Sequence, residues 1–346
     1  MKIDIDLPLK TFWAPLVFAC LGGYLAYIMG IPGGWLIGAM FATVIFVMSG
    51  REVVFPVVLR DVLFVVLGVM FGSSMNPAML SGMAKWPLSM AMVVITMIAI
   101  VLVSVLYFRW IAKWDAASAL LASIPGALSH VMAVASEAGA DIKRVAISQS
   151  TRIFMLAALV PVMLNEQPQS SLSISKIPIS LMDIGFVAVA GFAGAYIFKM
   201  LRIPGALITG ATLASALLFA NEIVSGSFQF WQTVPEYILL GMIVGSRMSG
   251  ISLSEYRKFF VVSLGAFSIV FLISALGALL ASRLLDISYG LALLAFAPGA
   301  FEAMAALALA INYDPAFIIA HHMVRFFGII LMTPVFLLVL SRVRTR

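Results

Sequence analysis

Two arginines, Arg152 and Arg325, each follow a Pro-Gly pair at the same interval, Pro125-Gly126 and Pro298-Gly299. A guanidinium keeps its charge at any physiological pH and presents a planar fork of donors that fits carboxylates and phosphates. Pro-Gly interrupts a helix, and the free N–H groups at a helix start favour an anion. The two features together read as a site for a small anionic ligand. Glu302 lies four residues after Pro298, Ser129 holds the matching place after Pro125, and His130 stands beside it. A partly desolvated carboxylate, or an imidazole, could load and release a proton there, as a proton-coupled carrier requires. The structural alternatives are Glu302 closing an opened helix end, or neutralising one of the arginines.

Ser148-Gln149 and His321-His322 occupy equivalent places just before the two arginines, so Gln149 and His322 join the candidate substrate- or ion-binding set. Adjacent helix residues do not share a face, so the two histidines cannot hold one metal from one side. Satisfying buried polar groups is their simpler use. The chain has three His and one Cys, Cys20, too few for a clustered metal centre, so no metal, cofactor or enzymatic activity is expected.

The elements that position these residues must lie in a bilayer. Of 346 residues, 63% are hydrophobic and 10% charged, whereas soluble domains carry about 25% charged residues. Residues 11–29, 87–108, 259–281 and 315–340 are apolar runs near or above the roughly 20 residues that span a membrane. An all-α integral membrane protein follows. Lys2 and Lys10 before the first run resemble a signal peptide, but the run has a counterpart at 181–200, so it belongs to the fold.

That counterpart is one of many. Ile31-Pro32-Gly33 recurs as Ile203-Pro204-Gly205, and Gly68-x-x-x-Gly72-Ser73 as Gly241-x-x-x-Gly245-Ser246. Leu120-Leu121-Ala122-x-x-Pro125-Gly126-Ala127 recurs as Leu293-Leu294-Ala295-x-x-Pro298-Gly299-Ala300, and Asp141, Arg152 and Phe154 as Asp314, Arg325 and Phe327. Gly, Pro and Arg at a nearly constant offset mark a tandem duplication. Residues 1–164 form the first membrane repeat, 165–180 a polar linker and 181–346 the second, with about six apolar segments in each.

The basic residues orient the copies. If the fifth segment of each, broken by Pro-Gly, re-enters rather than crosses, five crossings invert the second copy. Of the 21 Lys and Arg, Lys85, Lys176 and Arg283 then fall outside, Arg152 and Arg325 lie in the membrane, and the other sixteen face inside. That bias fits the positive-inside rule, and both termini come out cytoplasmic. Inverted repeats with discontinuous, Pro-Gly-broken helices at the midplane are secondary-transporter-like architecture.

The motifs Ile31-Pro32-Gly33-Gly34-Trp35-Leu36-Ile37-Gly38, Ser123-Ile124-Pro125-Gly126-Ala127-Leu128-Ser129 and Pro298-Gly299-Ala300-Phe301-Glu302 resemble the AbrB family of bacterial membrane proteins, distinct from the soluble DNA-binding protein of that name. The resemblance covers nearly the whole chain and extends through Arg152 and Arg325. It implies a multi-pass protein of the bacterial inner membrane. Family members have been described as regulators of gene expression and as ammonia monooxygenases. An oxygenase needs clustered ligands that this chain lacks, and the longest polar stretch, 165–180, is short for a DNA-binding module. The architecture therefore favours a secondary transporter of a small solute, anionic and coupled to protons. Regulation, direct or through a transported signal, is the alternative. The expected partners are the lipid bilayer, the solute and a second copy of the chain in a homo-oligomer, without nucleic acid.

Overall fold

A computed structural model describes residues 9–73, 86–125, 131, 135, 138–164, 178–203, 205–299, 301–311, 313–325 and 327–328. Among these residues the chain is all-helical. In chain order the helices are α1 (Ala14–Ile28), α2 (Gly34–Met48), α3 (Val57–Gly72), α4 (Trp86–Leu106), α5 (Ala116–Ser123), α6 (Ile142–Met163) and α7 (Leu181–Met200). There follow α8 (Ala206–Ala220), α9 (Phe230–Ser246), α10 (Leu253–Leu285), α11 (Tyr289–Phe296), α12 (Phe301–Ala310) and α13, residues 315–325. Short π-helical turns, Leu9–Trp13 and Tyr107–Ile111, precede α1 and extend α4.

Among the described residues, four stretches are long and apolar enough to cross a membrane: Thr11–Ile28, Trp86–Ile111, Leu181–Met200 and Leu253–Leu285. They carry large apolar side chains on their outer faces, such as Leu21 on α1, Ile95 on α4, Val189 on α7 and Leu276 on α10. A bilayer is the solvent that leaves such surfaces without cost.

The helices sort into two compact units, each drawing on both halves of the sequence. One holds α1–α3, α7–α9 and nearly all of α12. Its helices touch at glycines. A Cβ on Gly22 would lie 2.4 Å from Gly38 O and 2.5 Å from Ala42 Cβ. The same contact recurs in the second half, where a Cβ on Gly194 would lie 2.4 Å from Gly210 O and 2.8 Å from Ala214 Cβ. Gly68 and Gly72 of α3 press against Ile208 O and Thr212 O of α8, while Gly241 and Gly245 of α9 press against Leu36 O and Met40 O of α2. With little aqueous hydrophobic drive between helices in lipid, such close backbone packing is a main source of association. The helices α2 and α8 each begin at a left-handed glycine, Gly33 (φ 65°) and Gly205 (φ 66°), a conformation that costs other residues strain.

The second unit holds α4, α5, most of α6, α10, α11 and most of α13. Its core runs from Met97 and Val101 of α4 through Phe108 and Trp114 to Leu121 of α5, Val145 of α6 and Ala266 of α10. Gly277 of α10 admits Thr96 of α4 and Phe296 of α11, with a built Cβ 2.5 Å from Thr96 Oγ1 and 3.0 Å from Phe296. At one end, Arg144 pairs with Asp141 at 3.0 Å and lies over the Trp114 and Phe259 rings, while Lys143 pairs with Glu255. All the candidate side chains that the structure describes lie in this unit.

Candidate functional site

The site is built on two short helices, α5 and α11. Each starts at a side-chain cap: Asp115 accepts from Ser118 N at 2.8 Å, and Ser288 accepts from Leu291 N at 3.3 Å. These caps satisfy one of the free N–H groups of a helix start. Each helix also stops for the same reason. Ile124 (ψ 119°) and Ala297 (ψ 125°) turn extended because each precedes a proline, Pro125 or Pro298. The last turn of each helix is thereby left with carbonyls that have no intrahelical donor, inside a buried core.

Polar side chains of α6 and α13 answer those carbonyls. Gln149 Nε2 donates to Leu121 O at 3.0 Å and to Ile124 O at 2.8 Å. His322 Nε2 donates to Leu294 O at 3.1 Å, and Arg325 donates to Ala297 O at 3.1 Å and to Gly299 O at 3.2 Å. Since a carbonyl only accepts, His322 carries its proton on Nε2 and is free to accept from Arg325 Nη2 on Nδ1, at 3.2 Å. Arg152 correspondingly donates to Gln149 Oε1. One sequence offset relates Leu121 to Leu294, Ile124 to Ala297, Gln149 to His322 and Arg152 to Arg325, so the two half-sites correspond position by position.

All four polar side chains are sequestered: Gln149 is 0% exposed, His322 1%, Arg152 4% and Arg325 5%. Arg325 lies against the carbonyl end of α11, and Arg152 is held through Gln149 to that of α5. The partial negative charge at such ends favours a cation. It amounts to only about half a charge per helix. The ion pairs at Arg60–Asp61, at Lys143–Glu255 and around Arg144 involve neither of them. The Nε of Arg152 and of Arg325 are both buried without a hydrogen-bond partner among the described residues.

The structure thus brings together Arg152 with Gln149, which binds the carbonyl before Pro125, and Arg325 with His322 and the carbonyls on either side of Pro298. Gly126, Ser129 and His130 lie outside the described residues. Glu302 sits in the first turn of α12, with its side chain outside the description. The sequence reading has the arginines bind an anionic solute beside the breaks or pair with Glu302. Among the described contacts Arg325 binds carbonyls of Ala297 and Gly299, at the close of α11 and within the break.

The comparisons with known proteins fit this picture. The family described as "Transition state regulatory protein AbrB" matches residues 35–341, most of the chain and all of the site. The chain belongs to the AbrB family. It is 27% identical over 323 residues to "Putative regulator AbrB" of Escherichia coli (strain K12), covering 90% of each protein. It is 25% identical over 366 residues to "Uncharacterized protein YhjN" of Bacillus subtilis (strain 168), covering 97% of this chain and 94% of that one.

One part of this AbrB-family chain escaped the sequence reading. His321 Nε2 lies 2.6 Å from Ser89 Oγ of α4, and its Nδ1 lies 2.7 Å from Phe317 O. His321 was noticed as half of a His-His pair, but Ser89 is a lone hydroxyl in an apolar helix and carries no signal of its own.

Proposed function

We propose that this AbrB-family protein is a secondary carrier that moves a small anionic solute across the bacterial inner membrane. On this reading it consists of two related copies in opposite orientation, with the broken fifth segments bringing the two arginines to comparable depth. The observation that carries the proposal is the buried pair Arg152 and Arg325, each with an unpartnered Nε and no carboxylate among its described contacts. A buried cation costs several kcal/mol unless it is paired, by the usual order of magnitude. The carbonyls and polar side chains offset part of that cost, and an anion would complete the balance. The glycine contacts that recur in the two halves, and the exchange by which α3 packs on α8 while α9 packs on α2, support two interlocked copies.

The Escherichia coli relative's name points to regulation. A carrier accommodates that role if its solute is a signal, and this is the second reading. The deciding experiment is a thermal-shift screen of purified protein against organic and inorganic anions, amino acids and cations. Stabilisation by an anion, lost in both Arg152→Ala and Arg325→Ala, is expected. Stabilisation by cations alone, or an anion effect that survives both substitutions, would sink the proposal.

A further inference from the structure

His321 lies in a hydrogen-bonded chain that a neutral imidazole cannot fill. The chain runs from Phe317 O to His321 Nδ1 (2.7 Å), from Nε2 to Ser89 Oγ (2.6 Å), and from Ser89 Oγ to Trp86 O (2.9 Å). Both ends are carbonyls, which accept only, so three links need three hydrogens. A neutral histidine and a serine supply two. In that form Nδ1–H donates to Phe317 O, Ser89 O–H turns to Nε2, and the Trp86 carbonyl loses its hydroxyl donor. One added proton on Nε2 completes the chain: Nε2–H donates to Ser89 Oγ, and Ser89 O–H returns to Trp86 O. The Phe317 ring already lies against the imidazole, 3.9 Å between centroids, a setting that favours a cation.

We propose that His321, with Ser89 as its hydrogen-bond partner, is a proton-binding site of this protein, and that its proton is taken up together with the anion at Arg152 and Arg325. The second clause rests on the carrier reading above; the first does not. Two terms oppose the added charge in the empty protein. His321 is fully buried, and Arg325, four residues on along the same face of α13, repels it. Among the described side chains, Glu255 of α10 is paired with Lys143, and Asp314 lies just ahead of α13, seven residues before the ring. On α13 the neighbour is neutral His322; α4 carries no ionisable side chain, and α11 has only Tyr289, at its first residue. On α6 the ionisable side chains are Lys143 and Arg144 in the first turn, and Arg152; on α10 they lie in the first two turns and at Arg283. A bound anion removes the repulsion and leaves the completed hydrogen-bond chain to decide. Linkage then runs both ways: acid favours the anion, and the anion favours the proton. The proton enters His321 from the side on which the anion binds and leaves with it on the other.

The test uses 15N-histidine-labelled full-length protein in bilayers, where only three histidines give signals and His321→Gln assigns the one that matters. At neutral pH without ligand, His321 is expected as the Nδ1–H tautomer, becoming doubly protonated on acidification. Ser89→Ala should lower the midpoint of that titration. Arg325→Gln should raise it by about one pH unit or more, as removal of an adjacent like charge does; should that variant misfold, Arg152→Gln should act in the same direction. An Nε2–H tautomer at neutral pH, or a midpoint that ignores both Ser89→Ala and the arginine variants, overturns the proton site. Acetate, succinate and phosphate then serve as probe anions, with binding read by thermal shift. An anion that binds through the arginines yet leaves the midpoint unmoved overturns joint uptake while the carrier reading stands. If the charge variants behave as expected and no anion binds, the proton site stands and the anion-carrier reading falls.

Discussion

Adding one methyl group to α7 should have opposite effects at two of its glycines. At Gly194 a built Cβ lies 2.4 Å from Gly210 O, 3.0 Å from Gly210 C and 2.8 Å from Ala214 Cβ. Relaxed contacts between heavy atoms sit near 3.5 Å, so α7 and α8 would have to part by about 1 Å at their crossing. Two of the three obstructing atoms are backbone and cannot swing aside. Overpacking of this kind costs about 1–3 kcal/mol, against a gain of about 0.8–1.0 kcal/mol from alanine's better helix propensity. With backbone atoms as the obstruction the steric cost should lie toward the top of its range, and Gly194→Ala should be destabilised by up to about 2 kcal/mol on those two principles. A Cβ at Gly185, in the first turns of the same helix, meets nothing within 4 Å. Only the propensity gain remains, so Gly185→Ala should be neutral or up to about 1 kcal/mol more stable. Gly22→Ala, facing Gly38 O at 2.4 Å, should repeat the loss seen at Gly194. Denaturant unfolding in detergent, followed by tryptophan fluorescence, measures all three. A Gly194→Ala protein as stable as wild type, or a Gly185→Ala protein that falls as far, would refute the close-packed crossing.

Gln149→Leu strips the donor from Leu121 O and Ile124 O, and at about 1–3 kcal/mol per orphaned buried carbonyl the unfolding midpoint should fall markedly; an unchanged midpoint would mean those carbonyls find other partners. Arg152→Lys and Arg325→Lys should weaken anion binding nearly as much as the alanine variants, because an ammonium cannot reproduce the planar fork; calorimetry showing unaltered affinity in both would make the arginines structural. In a Cys20→Ala background, cysteines at Ser49 and at Asn221, which follow α2 and α8, should react with an impermeant maleimide from opposite faces of the membrane. Labelling from the same face would remove the inverted arrangement.

Two features were legible in the sequence because they depend on residues with few conformational options. Pro125 and Pro298 dictate where α5 and α11 stop, and in the other unit Gly38 and Gly210, matched between the two halves, let helices touch where any side chain would hold them apart. Buried arginines in an apolar chain announce themselves by their cost. What could not be read was whom they bind. Arg325 is partnered by the carbonyls of Ala297 and Gly299, and every residue has a carbonyl, so backbone partners leave no trace in composition or spacing. The break in the fifth segment, by contrast, was marked by Pro298-Gly299, and the extended backbone at Ala297 divides residues 288–311 there into α11 and α12.

The two histidines of α13 are neighbours in sequence, yet their hydrogen bonds give them different chemistry, and one substitution separates them. His322 must donate through Nε2 to Leu294 O and accept through Nδ1 from Arg325. A second proton would destroy the acceptor and set an imidazolium against a guanidinium, so this ring is locked neutral by its partners. Gln149 does the same work in the first half, donating from Nε2 to Leu121 O while its Oε1 accepts from Arg152. An amide never titrates in this range, and it serves. His322→Gln should therefore keep the fold, with stability within about 1 kcal/mol of wild type, about one ordinary hydrogen bond. His322→Leu removes donor and acceptor together and should cost about 2–5 kcal/mol, a carbonyl left bare and a buried charge deprived of its acceptor. The first-half counterpart of His321 is Ser148, which has no ring to protonate. If His322→Gln proved as damaging as His322→Leu under the same unfolding assay, the equivalence of the two half-sites would be lost. The assignment of the mobile proton to His321 rather than His322 would lose its footing with it.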